Sequence, residues 1–115
     1  MKLNIEKREG YVALKPEEEK LDSSISPQLK SELLLLHSEG FHNMIIDLNS
    51  VTYVDSSGLS ALLVGNRLCG GSNGKLVLTG VGDFVRGLLQ ISRLDSILAM
   101  ADTMDSAITE LGLTS

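Results

Sequence analysis

The side chains best placed to do chemistry form an Asp-Ser-Ser-Gly tetrad at residues 55–58. An apolar run at 44–48 and a segment rich in β-branched residues at 51–54 precede it, and these patterns predict a buried strand with an extended continuation. Apolar residues then recur at helical spacing, which predicts a helix over 57–68. The tetrad therefore lies where a strand ends and a helix begins.

The start of a helix favours anions, because its first backbone N–H groups lack an intrahelical partner and the helix dipole is positive there. The hydroxyls of Ser56 and Ser57 can cap those groups, and Gly58 leaves room for a partner to approach the backbone. A phosphate on either serine would lie beside free N–H donors, whereas Asp55 would repel it. Two interpretations follow: the serines are N-caps of a tight turn, or one of them accepts a phosphate.

Length and composition indicate one globular domain spanning residues 1–115. The net charge of −5 argues against direct binding of nucleic acid and favours a partner with a basic surface. The sequence has no apolar run long enough to span a membrane, and its first residues lack the apolar segment of a signal peptide. We therefore expect no membrane contact. Because the single cysteine, Cys69, cannot form an internal disulfide, we also expect a cytoplasmic protein.

Strand and helix patterns alternate along the rest of the chain. The expected elements are a hairpin of strands at 2–8 and 11–15, a strand at 44–48, helices at 27–39 and 57–68, a strand at 75–79, a helix carrying 85–91, a strand at 97–100 and a helix carrying 104–111. Ser26, Asp83, and Asp102 or Thr103 are the expected N-caps. This alternation implies parallel connections, so we expect an α/β fold with a mixed sheet.

Several catalytic or cofactor-binding arrangements fail on residue type or spacing. The Gly-Lys pair at 74–75 is not a phosphate-binding loop, because that motif needs glycine where Cys69 stands and Ser or Thr where Leu76 stands. Ser56 lacks the glycine-flanked elbow of hydrolases, and no residue spacing supports a metal site. A phosphate-accepting Asp55, as in response-regulator receiver domains, lacks the acidic pair and the lysine that those domains need. We therefore predict neither an enzyme nor a bound cofactor.

One stretch resembles a known family. Residues 47–48, followed by Val-Thr-Tyr-Val-Asp-Ser-Ser-Gly-Leu at 51–59, resemble the signature of STAS domains, specifically the bacterial anti-sigma factor antagonists. Leu-Asp at 21–22 resembles the acidic position after the family's second strand, and Ile-Ser-Arg-Leu at 91–94 resembles the end of a later helix. The three glutamates at 17–19 depart from the family pattern, which has an apolar strand end and a glycine there. This departure bears on the choice of partner.

The resemblance implies a compact STAS fold, with helices mainly on one face of the sheet, and a regulatory protein that acts by binding. The unphosphorylated form would bind an anti-sigma factor, often a serine kinase, and would free a sigma factor for transcription. Phosphorylation would switch that binding off, and a serine phosphatase would restore it. ATP and magnesium would belong to the kinase, so this chain would carry no cofactor.

The family pattern also implies roles for individual residues. Ser56 would accept the phosphate, with Ser57 as the alternative acceptor. Asp22 and Asp55 would be polar determinants of the docking surface, and Gly58 would permit close approach of the partner. A second hypothesis is a STAS module that is never phosphorylated and serves as a scaffold or as a subunit of a larger regulatory or transport assembly.

Overall fold

Five strands form the main sheet and two form a separate ladder in the computed structural model, which describes residues 1–113. In chain order the strands are β1 (Leu3–Arg8), β2 (Tyr11–Pro16), β3 (Lys20–Leu21), β4 (Met44–Asp47), β5 (Tyr53–Val54), β6 (Leu76–Thr79) and β7 (Ala99–Ala101). The main sheet has the order β1-β2-β4-β6-β7, in which the β1–β2 hairpin is antiparallel and the other pairs are parallel. The predicted α/β class with a mixed sheet is confirmed. Residues 114 and 115, the last of the predicted domain, lie outside the described range.

Three of the four α-helices in the described range pack on one face of the sheet. The helices are α1 (Ser26–Ser38), α2 (Ser56–Gly71), α3 (Asp83–Ile91) and α4 (Met104–Glu110). Neighbouring strand residues point to opposite faces, so Leu14 and Ile46 join the cluster that contains α1, α2 and α3, whereas Ala13 and Ile45 pack with α4. The predicted arrangement, with helices mainly on one face, is confirmed.

β4 lies at the centre of the sheet, as the apolar run predicts. It pairs with β2 on one side and β6 on the other, and its first three residues have no exposed surface. The strand ends at Asp47, and a turn follows in which the N–H of Val51 donates to the carbonyl of Leu48. The extended continuation predicted for 51–54 is therefore shorter than expected: it is β5, which pairs with β3 and not with the main sheet.

Two of the expected N-caps are wrong. Ser26 is the first residue of α1, and its hydroxyl is buried; the carbonyl of Asp22 accepts the Ser26 N–H instead, at 2.8 Å. Asp83 is likewise the first residue of α3, and its side chain makes no capping hydrogen bond. Thr103 does cap α4, in a reciprocal box with Ser106. A cap must precede the first helical turn, and the two wrong assignments are each one residue late.

Two further predicted element bounds differ from the structure by two residues or more. α2 continues to Gly71, because the chain leaves the helical conformation only around Asn73, whose φ is 62°. The last strand begins at Ala99 and not at 97, because a 3₁₀ turn at Leu94–Ser96 precedes it. Neither difference moves an element to another face of the sheet.

Adjacent leucines of α1 should differ sharply in their effect on stability. Leu33 has no exposed surface, whereas Leu34 is 53% exposed. Leu33→Ala should lower the free energy of unfolding by about 2–5 kcal/mol, because it leaves a cavity in the core. Leu34→Ala makes the same chemical change on the solvent side and should stay within about 0.5 kcal/mol. Urea denaturation followed by circular dichroism measures both, and equal losses would contradict the assigned core face of α1.

Candidate functional site

The tetrad lies where two loops are held together at the carboxyl ends of β3 and β5. The two strands pair in parallel, with Lys20 opposite Tyr53 and Leu21 opposite Val54. Just beyond the ladder, the N–H of Asp55 donates to the carbonyl of Leu21 at 3.2 Å. The loop that follows β3 and the start of α2 are therefore neighbours.

Asp55 caps α2, so the prediction that the serines cap it is wrong. Its Oδ1 accepts the N–H groups of Ser57 at 2.9 Å and Gly58 at 3.0 Å, and the Ser57 hydroxyl at 2.6 Å. Ser56 is already the first helical residue, which leaves Asp55 in the extended conformation that an N-cap adopts. The hydrogen bond from the Ser57 hydroxyl, followed by that from the Gly58 N–H, holds the pKa of Asp55 below its usual value.

The two serines have different surroundings. The Ser57 hydroxyl donates to Asp55, and its oxygen lies 3.3 Å from the hydroxyl oxygen of Ser26, which is 1% exposed. Because the Ser57 proton is committed to Asp55, the proton between the two serines is donated by Ser26. Ser56 is exposed, and its hydroxyl makes no hydrogen bond within residues 1–113. The accessible hydroxyl of the pair is therefore that of Ser56.

Asp22 adds a second carboxylate near the same edge. Its Oδ1 accepts the Ser24 hydroxyl at 2.6 Å and the Ser24 N–H at 3.0 Å, which closes the loop between β3 and α1. These two hydrogen bonds, the one from the hydroxyl first, hold the pKa of Asp22 below its usual value, while the negative charge of Asp55 opposes them. Both carboxylates are thus ionised at neutral pH, and the loops present a negative surface.

Gly58 is required by the protein's own packing, which corrects the expectation that it leaves room for a partner. The residue is buried, and a Cβ there would lie 2.4 Å from the carbonyl oxygen of Leu21 and 2.7 Å from Cγ1 of Val54. The absent side chain lets the first turn of α2 press against the β3–β5 ladder. The space next to Gly58 is filled by this chain and is not available to another protein.

An exposed aromatic pair beside β5 was missed by the sequence reasoning. Tyr53 and Phe84 stack with their ring centroids 5.7 Å apart and their planes at 23°. The spacing of Val85, Leu88 and Leu89 predicts the buried face of α3 and leaves Phe84 off it, so its exposure could have been inferred. The stacking of Phe84 on Tyr53 could not be inferred from the sequence, because this contact depends on how α3 packs beside β5.

Other chemistry has little support in the described structure. Residues 1–113 contain no group of three or more His, Cys, Asp or Glu side chains that could hold a metal ion. Cys69 is buried, and desolvation raises the pKa of its thiol to about 11, so the sulfur stays protonated and unreactive at neutral pH. Within the same range, no helix has the length and apolar character needed to cross a membrane.

Comparison with known proteins points to one family. Residues 2–107 match the STAS domain family. BtrV of Bordetella bronchiseptica, a candidate anti-sigma factor antagonist, is 28% identical over 107 residues, which cover 93% of this chain and 91% of BtrV. An anti-sigma-B factor antagonist of Staphylococcus epidermidis is 33% identical over 79 residues, which cover 68% of this chain and 72% of that protein.

Solved structures agree with this fold. The anti-sigma factor antagonist SpoIIAA of Bacillus, in its unphosphorylated form, superposes with a TM-score of 0.81 at 18% identity, over 99% of this chain and 100% of SpoIIAA. The phosphorylated form of SpoIIAA superposes with a TM-score of 0.73. At this level of identity the likeness establishes the fold alone, and the predicted STAS architecture is confirmed.

Gly58→Ala should destabilise the protein even though alanine favours helices. The new Cβ would overlap the Leu21 carbonyl, and such overpacking costs about 1–3 kcal/mol because the backbone must shift. Gly70→Ala is the matched control in the same helix: nothing lies within 4 Å of its Cβ position, so it should stabilise by about 0.5–1 kcal/mol. Urea unfolding of both variants tests this, and two variants of equal stability would refute the close-approach argument.

Asp55 should make stability depend on pH in the acid range. Its folded-state pKa is lowered, so its contribution is present above the unfolded value of about 3.9 and is lost as the pH falls through the folded value. In Asp55→Asn, which keeps a good N-cap, that loss cannot occur. The stability gap between wild type and Asp55→Asn should therefore shrink on going from about pH 5 to about pH 2. Urea titrations at several pH values measure the gap, and a constant gap would contradict the prediction.

Proposed function

The chain belongs to the STAS domain family, and on that premise we propose that it is an anti-sigma factor antagonist switched by phosphorylation of Ser56. The unphosphorylated protein binds an anti-sigma factor that is also a serine kinase, and a sigma factor is thereby freed. The kinase transfers phosphate from ATP to Ser56, the complex separates, and a serine phosphatase restores the starting form. The exchange takes place in the cytoplasm, and this chain needs no cofactor.

The state of the Ser56 hydroxyl is the single observation that carries the proposal. It is exposed and free of hydrogen bonds within the described residues, at the first position of a helix whose cap is already supplied. A kinase can reach it without unfolding any part of the chain. The names and solved structures of similar proteins also support the proposed function. Two relatives are named as anti-sigma factor antagonists, and the structure of SpoIIAA has been solved with and without phosphate.

Ser57 is the less favourable acceptor of the pair. Its hydroxyl is half-buried, donates to Asp55 at 2.6 Å and lies 3.3 Å from the Ser26 oxygen. Phosphorylation there would remove both contacts and bring a phosphate against the carboxylate that caps α2. That change would disturb the start of the helix, whereas a phosphate on Ser56 leaves the Asp55 cap in place.

A phosphate on Ser56 should act at the interface and leave the fold unchanged. The N–H groups of Ser57 and Gly58 are already taken by Asp55, so the phosphate stays in solvent and does not insert into the helix end. It adds about −1.5 to −2 charges at pH 7 to a surface that already carries Asp22 and Asp55. A partner that covers this surface must desolvate the whole cluster, which disfavours the complex.

The charge of the acidic loops indicates the charge of the partner's contact surface. Asp22 and Asp55 flank the serines, and the chain carries a net charge of −5, so the facing surface of the anti-sigma factor should be basic. The glutamates at 17–19 lie next to this surface through Glu19, whose carbonyl accepts the Thr52 N–H at 2.8 Å, and they would shape the choice of partner.

Replacing Ser56 should separate binding from folding. Ser56→Asp should keep the melting temperature of wild type but bind the anti-sigma factor of the same organism at least about tenfold more weakly, which is about 1.4 kcal/mol. Ser56→Ala should bind normally and should not be released when ATP is added, because it cannot be phosphorylated. Calorimetry with the purified anti-sigma factor, with and without ATP and magnesium, measures both.

Ser57→Ala is the matched control for these variants. It should still be phosphorylated at Ser56 by mass spectrometry, and it should be less stable than wild type because Asp55 loses the Ser57 hydroxyl. Equal affinity of Ser56→Asp and wild type for the anti-sigma factor would reject the switch. That outcome would favour the second hypothesis, an unphosphorylated STAS scaffold or subunit.

A further inference from the structure

The exposed aromatic pair has no role in the phosphorylation chemistry. Tyr53 is 41% exposed and Phe84 is 55% exposed, although both rings are large and apolar. The chain has two tyrosines and two phenylalanines, so half of these residues lie in one stack on the surface. Aromatic rings contribute most to stability when they are buried, and a stack left in solvent is typical of a surface that another protein covers.

An open groove continues from the pair across the ends of β4 and β6. It has a volume of about 390 Å³ and is lined by residues 80–85 together with Asn49, Val51 and Thr52. The partly exposed side chains of Val81 and Phe84 give its lining an apolar part. Asn49 and Thr52 make its rim polar. A groove of this kind accepts an apolar side chain whose backbone is held at the rim.

Tyr53 lies close enough to Ser56 for one ordinary interface to cover both. Tyr53 precedes Ser56 by three residues, so their Cα atoms are at most about 11 Å apart. A stable interface covers about 800 Å² on each partner, which as a disc has a radius of about 16 Å. Both residues are exposed at the end of β5 and the start of α2. One partner can therefore cover Ser56 and Tyr53, and with Tyr53 the ring of Phe84 stacked on it.

We propose that Tyr53, Phe84 and the adjoining groove are the main source of affinity for the anti-sigma factor that meets Ser56. This inference rests on the proposed function and adds the place where the partner gains its binding energy. The occupant of the groove is an apolar side chain of the anti-sigma factor, and its neighbours on that protein are basic. Asp83, which lines the groove beside Phe84, and Asp55, next to Ser56, supply the matching negative charge.

The two halves of this surface have different physical tasks. Aromatic residues packed against a partner and ringed by contacts that exclude water carry most of the energy in typical interfaces. Charges at the rim contribute less to affinity and more to choice of partner. With water excluded by the aromatic contact, a phosphate on Ser56 lies in a medium of lower dielectric, where its repulsion from Asp55 is stronger. The aromatic contact thus makes the switch more effective.

Other exposed apolar residues do not share this position. Ile91 is 84% exposed on the same helix as Phe84, but it lies about 10 Å from Phe84 along the helix axis and does not line the groove. Leu34 and Leu35 lie on α1, away from the groove. Ile91 is therefore a matched control, since it offers more exposed apolar surface than Phe84 on the same element.

Calorimetry of single variants with the purified anti-sigma factor tests the inference. Phe84→Ala and Tyr53→Ala should each raise Kd at least about tenfold, as expected for aromatic anchors. Ile91→Ala should change Kd by less than about threefold, and thermal melting should show that all three variants fold. Phe84→Leu, which keeps an apolar side chain over the groove, should recover part of the affinity.

The outcomes separate this inference from the function on which it rests. Phe84→Ala binding as tightly as wild type, while Ser56→Asp still loses affinity, would overturn the aromatic surface and leave the switch standing. A loss for Ile91→Ala as large as that for Phe84→Ala would also overturn it, because the effect would not be confined to the groove. Failure of the wild type to bind the anti-sigma factor would overturn the proposed function and the aromatic surface together.

Discussion

The contact on which the site depends is the approach of the α2 backbone to Leu21. The Leu21 carbonyl accepts the N–H of Asp55 at 3.2 Å, and the same oxygen lies 2.4 Å from where a Cβ on Gly58 would be. One peptide group of β3 thus fixes both the residue that caps α2 and the first turn of the helix. Because this contact joins segments more than thirty residues apart in the chain, it brings the Asp22 loop and the two serines to one surface.

From this contact follows the difference between two neighbouring serines. Once Asp55 is held as the N-cap, the hydroxyl of Ser57 is directed to the carboxylate and to Ser26, and that of Ser56 is directed to solvent. The Asp55 carboxylate already accepts the N–H groups of Ser57 and Gly58 at the start of α2, so a phosphate is not needed as their acceptor. The proposed phosphorylation of Ser56 would then change the surface that a partner contacts without changing the fold, which is the property that a reversible binding switch requires.

The sequence predicts the elements well where periodicity is strong, and predicts less well where backbone geometry decides. The buried strand at 44–48 and the helix after Ser26 follow from apolar spacing, which reports the core directly. The caps of α1, α2 and α3 were each placed one residue late, as when Ser56 was taken in place of Asp55, because apolar spacing does not resolve one residue. The role of Gly58 was also missed, since a glycine that serves internal packing and one that admits a partner look alike in a sequence.

The two edge strands of the main sheet bear on the concentration that this protein can reach without aggregating. β1 carries exposed charged side chains along one edge, and β7 is only three residues long at the other. Short or charged edge strands discourage the strand-to-strand pairing that leads to aggregates. Under the proposed function, an antagonist that occupies its target one for one would have to accumulate to at least the target's abundance. Protected edges would let the protein reach such a concentration without aggregating.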